Sequence, residues 1–315
     1  MQTRTERRKD TKKRKWPKWV LGIFVVLLLG GSASLYFMWD KISDTVKTMH
    51  NPLERDQDPE RQEALQSLFS KNQSINILLF GVDERLGDKG RSDTIILMSL
   101  NPKTNSTMML SIPRDTYVNI PGRGMDKINH AYAYGDVPLS IQTVEDTFNL
   151  HVHFYVRINM EGFKDGIDAL GGVTVNNKQA FSQGGRYFNE GELHVSGAEA
   201  LEYIRMRKND PRGDLGRNER QRDVIKAAMD EAASFSSITK VVEILNILGG
   251  NVQTNIDMKH MRNLFSDYRG TRNNIKTLEL SGDGQTIGGV WYYIVPDNEF
   301  NRVTLEIEHH MQENN

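Results

Sequence analysis

The stretch RSDTIILMSLNPKTNSTMMLSIPRDTYV, residues 91–118, decides the fold of this chain. IILMSL and TMMLSI are apolar runs separated by the turn signal NPKTN, so the segment reads as a β-hairpin over 93–112. Strands that apolar belong in a sheet buried on both faces. Yet the first opens on Arg91 and Asp93, and the second closes on Arg114 and Asp115. In an antiparallel pair the start of one strand lies beside the end of its partner, which gathers these four charges at one edge of the sheet.

Outward from the hairpin, INILLFGVD (75–83) is a continuous apolar run that reads as a buried strand ending on Asp83. Downstream, VPLSIQTVEDTFNL (137–150) has helical spacing in Ile141, Val144 and Phe148. HVHFYVRIN (151–159) reads as a strand, MEGFKDGIDALGG (160–172) as a helix stopped by glycines, and VTVNN (173–177) as a short strand. SGAEALEYI (196–204) opens with a capping box, Ser196 followed three residues on by Glu199. Amphipathic helices are expected over 216–235, 237–248, 257–268 and 297–312, with a late strand WYYIVP at 291–296. Helices interleaved with strands, some hairpin-connected, define an α/β class with a mixed central sheet and helices on both faces.

The 315 residues suffice for a sizeable core. The formal net charge of −1 conceals an asymmetry: residues 1–19 carry nine Lys/Arg against Glu6 and Asp10, a local +7 that leaves −8 for the rest. WVLGIFVVLLLGGSASLYFMW (19–39) follows without a charge, and at ~1.5 Å per residue such a helix spans ~30 Å of hydrocarbon. Trp19 and Trp39 stand at the two interfaces, and the basic side stays cytoplasmic. The span explains the basic tail without nucleic acid as a partner. Small residues at GSAS (31–34) raise the alternative of a cleaved signal peptide, but the apolar pattern continues through LYFMW. The expected organisation is a cytoplasmic tail (1–18), a single-pass signal-anchor (19–39), an extracellular stalk (40–74) and an extracellular domain (75–315). The absence of cysteine is compatible with export without disulfides and decides nothing further.

Four segments carry charge that periodicity does not explain: GVD with Asp83, RSD with Arg91 and Asp93, PRD (113–115) with Arg114 and Asp115, and YIRMRKNDPRGDLGRNERQR (203–222). In the last, Arg217, Arg220 and Gln221 share a helix face at i, i+3, i+4, whereas Arg205 and Arg207 share a face only if extended. Two strand-end carboxylates suit Mg²⁺, which keeps positions for water and phosphate, and arginine forks match phosphate oxygens. The competing reading is a set of structural Asp–Arg pairs with a solvated helix face. SITK (237–240) matches S-x-x-K but lacks the accompanying S-D-N and K-T-G, and is set aside.

GVDER…RSDTII, SIPRDTYVNIPG, MDKINHAYAYG, the R-x-R of IRMRK and DLGRNERQ occur in that order over about 75–235. Together they resemble the LytR–CpsA–Psr family of Gram-positive bacteria, nearest to its teichoic-acid transferases. The resemblance implies an αβα-layered catalytic domain that moves a wall glycopolymer from an undecaprenyl pyrophosphate carrier to the C6 hydroxyl of N-acetylmuramic acid in peptidoglycan. It implies Asp83 and Asp93 as ligands to Mg²⁺, with Arg91, Arg114, Arg205, Arg207, Arg217 and Gln221 gripping the pyrophosphate. Asp214 is implied as the base for the acceptor hydroxyl, with Asp115 as the alternative. A lipid carrier also needs an apolar slot, for which Val144, Phe148, Phe154, Val156, Phe163 and Ile167 are candidates; plain core packing is the competing reading. Two other functions stay open at this point: hydrolysis of a lipid pyrophosphate, and non-catalytic binding of a polyprenyl phosphate by a membrane-anchored regulator.

Overall fold

The structure is a computed structural model that describes residues 48–83, 90–207, 210–234, 244 and 246–313. The basic tail, the 19–39 span and most of the expected 237–248 helix lie outside the described residues. Among the described residues no helix is long and apolar enough to cross a membrane.

The 93–112 hairpin forms the middle of a six-stranded sheet. Its strands are β1 (Ile75–Val82), β2 (Ser92–Asn101), β3 (Ser106–Ser111), β4 (Phe154–Asn159), β5 (Val252–Thr254) and β6 (Asn274–Glu279), in the order β5-β4-β1-β2-β3-β6. β2 lies antiparallel to both β1 and β3, β1 is parallel to β4, β3 is parallel to β6, and β5 runs antiparallel to β4. The mixed sheet expected from the sequence is therefore present. At the tip of the hairpin Asn101 Oδ1 accepts from the backbone N–H groups of Lys103 (3.0 Å) and Thr104 (3.3 Å), the local bond that makes NPKTN a turn.

Seven helices are labelled here: α1 (Pro59–Ser70), α2 (His130–Phe148), α3 (Met160–Ala169), α4 (Gly197–Arg205), α5 (Asp214–Ser234), α6 (Met258–Asp267) and α7 (Asp297–Gln312). Strand alternation sorts the core into two faces. Leu78, Phe80, Ile95, Leu97, Leu110 and Tyr155 pack with Val137, Ile141, Val144 and Phe148 of α2 and with Val303 and Ile307 of α7. Ile77, Ile96, Met98, Met109 and Phe154 point the other way, against Leu65 and Phe69 of α1 and partly buried residues of α5 and α6. Burying a side chain of this size contributes ~1.5–3 kcal/mol, which is why the hairpin sits centrally.

A smaller apolar cluster joins α3, α4 and α5 to two ribbons, Val173–Asn177 with Gly191–Val195 and Phe181–Gln183 with Arg186–Phe188. VTVNN is thus a strand, but outside the main sheet. Helix α5 touches both regions: Val224 is buried in the small cluster, while Ile225 and Met229 pack on the sheet.

Two expectations are corrected, and a third is borne out. Residues 48–74 are not a detached stalk, because Met49, Leu53, Leu65 and Phe69 are buried against the domain. The expected late strand is present as Val290–Ile294, antiparallel to Asp283–Ile287 and bridged at Tyr293 to Thr116. The six candidate slot residues do not line one channel: Val144 and Phe148 lie on one face of the sheet, Phe154 on the other, and Phe163 and Ile167 in the small cluster.

Helix α2 begins seven residues before the expected 137. It is broken at Gly135 and Asp136 (φ +57°), where Asp136 Oδ1 caps Val137 N at 2.7 Å and Pro138 follows. The second half is the helix read from sequence. The first carries His130 and Tyr134, and forms because Ile128 N and Asn129 N donate to Thr116 O (2.8 Å) and Arg114 O (3.2 Å).

Candidate active site

Pro113–Thr116 leaves β3 in a tight turn, closed by Thr116 N to Pro113 O at 3.0 Å and Thr116 Oγ1 to the same oxygen at 2.6 Å. The turn sends Arg114 back across the open end of the hairpin, where Nη1 donates to Asp93 Oδ1 at 2.8 Å. Arg114 Nε lies 3.4 Å from Asp115 Oδ2, and Lys127 Nζ lies 2.7 Å from Asp115 Oδ1. The shared charged edge expected from the sequence is therefore real.

Asp83 follows the last residue of β1, and its N–H donates to Arg91 O at 3.3 Å. Val82 sits opposite Ser92 after a register shift at Gly81, so Asp83 and Asp93 occupy adjacent strand ends. Arg91 is exposed, and its positive charge is felt at Tyr134 on α2.

The second half of the cluster comes from α5 and the loop before it. Asp214 opens α5, and its Oδ2 accepts from Arg217 Nη2 at 2.8 Å, while Arg207 Nη1 stands 3.8 Å from Oδ1. Asp214 also contributes to the electrostatic field at Arg114, and Arg114 and Asp93 to that at Arg217, so the two halves face each other. Arg217 is nine-tenths buried, and burial depresses its pKa; Arg114 and Arg207 add to the depression while Asp214 and Asp93 oppose it. Arginine stays charged nonetheless. Two atoms here are buried without a hydrogen-bond partner, Arg217 Nε and Asp214 Oδ1. A buried guanidinium N–H without an acceptor, beside two further arginines, is an arrangement that an oxyanion would complete.

Gln221 is buried one turn beyond Arg217 on α5. Arg220, grouped with these residues by helical spacing, is engaged elsewhere: Nη1 meets Asp210 Oδ2 at 2.6 Å and Nη2 donates to Met206 O at 2.5 Å, with both charged side chains almost wholly buried. Those bonds tie Met206 and Asp210, on either side of Arg207 in the chain, to α5. Arg205 takes other partners. It is the last residue of α4, exposed, with Nη1 3.1 Å from Glu202 Oε1 and Nη2 3.1 Å from Met160 Sδ. Because the helix runs through Arg205 and ends before Arg207, the two arginines go to different partners.

Sequence reasoning missed a second group. Asp126 Oδ2 is 2.8 Å from His130 Nδ1 and 2.7 Å from the Tyr134 hydroxyl. Burial raises the Asp126 pKa, but the bonds from His130, Tyr134 and Lys127 N outweigh it and hold the carboxyl below its ordinary range. The available signal was the i, i+4, i+8 spacing of Asp126, His130 and Tyr134 within MDKINHAYAYG.

The mixed sheet with an acidic and arginine-rich open edge defines an α/β domain built to receive an anion. A profile of the LytR_cpsA_psr family matches residues 36–309, and the chain belongs to that family. It is 60% identical over 319 residues to the polyisoprenyl-teichoic acid–peptidoglycan teichoic acid transferase TagU of Oceanobacillus iheyensis, covering 99% of this chain and 100% of that one. The crystal structure of Bacillus subtilis TagU is similar at TM-score 0.63 and 42% identity, over 76% of this chain and 97% of that chain. A structure of TagT bound to LIIa-WTA is similar at TM-score 0.66 and 33% identity, over 76% and 91%.

Proposed function

We propose that this chain transfers a wall glycopolymer, teichoic acid, from an undecaprenyl pyrophosphate carrier to the C6 hydroxyl of N-acetylmuramic acid in peptidoglycan. The observation that carries the reading is the convergence of Arg114, Arg207 and Arg217 around Asp93 and Asp214, with a buried guanidinium N–H left unbonded. The names of the relatives support the substrate class.

In this reading the acceptor oxygen attacks the phosphorus that bears the glycopolymer. The bond from that phosphorus to the bridging oxygen breaks, a phosphodiester forms, and polyprenyl monophosphate leaves. Arg114, Arg207 and Arg217, with Gln221 and Arg91 at the margin, hold the pyrophosphate oxygens in place. Catalysis of phosphoryl transfer rests on such positioning and charge, and an arginine contributes ~10³-fold or more in well-studied cases. Arg205 would reach the carrier only by leaving Glu202.

Mg²⁺ fits the residues present. Asp83 and Asp93 are two carboxylates at adjacent strand ends, and no group of three or more acidic, imidazole or thiol side chains suited to a metal occurs among the described residues. One or two carboxylates with the remaining positions left to water and phosphate oxygens is the donor set of that ion. Bound there, it would neutralise charge building on the phosphoryl oxygens. The 19–39 span would anchor the domain on the outer face of the cytoplasmic membrane, where such a carrier is presented.

The test is incubation of the full chain with a lipid-linked glycopolymer and a peptidoglycan oligosaccharide, followed by mass spectrometry. A phosphodiester conjugate is the expected product. Release of glycopolymer phosphate without conjugate would make the protein a hydrolase, and carrier binding without turnover would make it a binding protein.

A further inference from the structure

The transferase reading leaves one chemical role open, the group that takes the proton from the acceptor hydroxyl. The two aspartates implied by family resemblance are both flanked by cations: Asp115 by Lys127 and Arg114, Asp214 by Arg217 and Arg207. Each carboxylate is already turned to two cations and holds them in place. Arranged this way, the aspartates orient arginines.

The Asp126–His130–Tyr134 group has the opposite character. Asp126 Oδ2 receives the Tyr134 hydroxyl at 2.7 Å and meets His130 Nδ1 at 2.8 Å. An ionised carboxylate can only accept hydrogen bonds, so Nδ1 carries the ring proton and Nε2 presents a lone pair. The His130 side chain is partly exposed, and Nε2 has no partner among the described residues. A carboxylate that fixes the tautomer of an imidazole whose other nitrogen is open is the arrangement of base and orienting acid in acyl-transfer triads.

His130 is also placed beside the cluster. The residue before it, Asn129, donates its N–H to Arg114 O at 3.2 Å, and Lys127 reaches Asp115 from the same turn. One helical turn on, Tyr134 lies within the field of Arg91 and under the guanidinium of Arg123, 5.1 Å from the ring centroid. The residues on either side of His130 thus connect it to the arginines that open β2 and follow β3: Asn129 to Arg114 through the backbone, and Tyr134 to Arg91 through its field. Asp126 and Tyr134 face His130 directly, Arg123 and Arg91 act on Tyr134, and Lys127 turns to Asp115.

The geometry points to His130 as the general base of the transfer and Asp126 as its positioning residue, an assignment that rests on the transferase reading. Nε2 takes the proton of the sugar hydroxyl as its oxygen bonds to phosphorus. The electron pair of the breaking phosphorus–oxygen bond leaves with the polyprenyl phosphate, and the imidazolium returns its proton to solvent.

The experiment uses the full chain in detergent, a lipid-linked glycopolymer, a peptidoglycan oligosaccharide and a pH series. In the wild type the rate should rise along an acid limb as an imidazole loses its proton. His130→Gln, which keeps a donor for Asp126, should lose that limb and ~10²-fold or more in kcat, with carrier Kd within about twofold. Added 4-methylimidazole should restore rate to His130→Ala, which a merely structural histidine would not allow. Asp126→Asn should lower kcat and displace the limb, while Asp214→Asn should keep the limb in place. The base assignment falls if His130→Ala transfers within about threefold of wild type. It falls equally if both His130 variants are slow but keep the limb and show no rescue, or if the limb vanishes in Asp214→Asn instead. A wild-type chain that forms no conjugate at any pH overturns the transferase reading and the base together, whereas the preceding outcomes overturn the base alone.

Discussion

Arg114 donates from Nη1 to Asp93 Oδ1 across 2.8 Å, joining the residue that follows β3 to the start of β2. The bond turns the open end of the most apolar hairpin in the chain into a fixed charged rim. With one Nη1–H on Asp93 and Nε facing Asp115, Arg114 has three further N–H bonds to turn toward an anion.

Arg114→Lys should therefore weaken carrier binding, because an ammonium cannot reproduce the planar fork that bridges Asp93 and Asp115 while facing a phosphate. Losing one charge-assisted bond of this kind costs ~1.5–3 kcal/mol, or roughly ten- to a hundredfold in Kd. Titration of the variant with an isoprenyl pyrophosphate measures it. Unchanged affinity would remove Arg114 from the binding site.

Asp83→Asn separates metal from scaffold. Asparagine keeps the size of the side chain and removes only its charge, and the backbone bond from Asp83 N to Arg91 O is untouched, so the substitution should leave the fold intact. Transfer should then need a higher Mg²⁺ concentration for half-maximal rate. A Mg²⁺ titration identical to wild type would make Asp83 structural.

Asp210→Ala should lower stability far more than activity-site substitutions do. It leaves the Arg220 guanidinium buried without its partner, and breaking such a pair costs ~3–5 kcal/mol. Calorimetry should show a thermal midpoint lower by more than about 5 °C. An unshifted midpoint would mean that the pair is open in solution.

Stability should also fall in mild acid through His153. Burial, with the neighbouring charge of Arg61 next in weight, lowers this imidazole to about 4 from its ordinary 6.5, and Nδ1 accepts the backbone N–H of Asn76 at 2.8 Å. Folding holds the neutral form while the unfolded chain binds a proton. The contribution is complete above pH 6.5 and is lost as pH falls toward about 4. The linked loss is on the order of 2–3 kcal/mol. Thermal melts between pH 7 and 4 should show the decline, and His153→Gln should flatten it.

The hairpin, its turn, the capping box at Ser196 and the charges at three strand ends were all legible from residues 75–118 and 196–222, because each depends on neighbours close in the chain. Burial of the strands on both faces was legible for the same reason: runs such as IILMSL leave no polar side to expose. β5 and β6 were not legible, since VQT is only three residues long and NIKTLE is mostly exposed, and pairing with β4 and β3 is what makes them strands. The arginines divided in the same way. Local spacing put Arg220 beside Arg217 and Arg205 beside Arg207 only if extended, but α4 runs through Arg205 and leaves it at Glu202, and Asp210 takes Arg220. Asp126, His130 and Tyr134 meet only because the 128–129 backbone docks on the turn after β3. Sequence alone determined which chemistry the chain carries and which edge of the hairpin it favours, since short-range sterics and burial set those. Which charges face the anion and which brace the scaffold was decided by tertiary structure, because a guanidinium goes to whichever carboxylate the folded chain brings within about 3 Å of it.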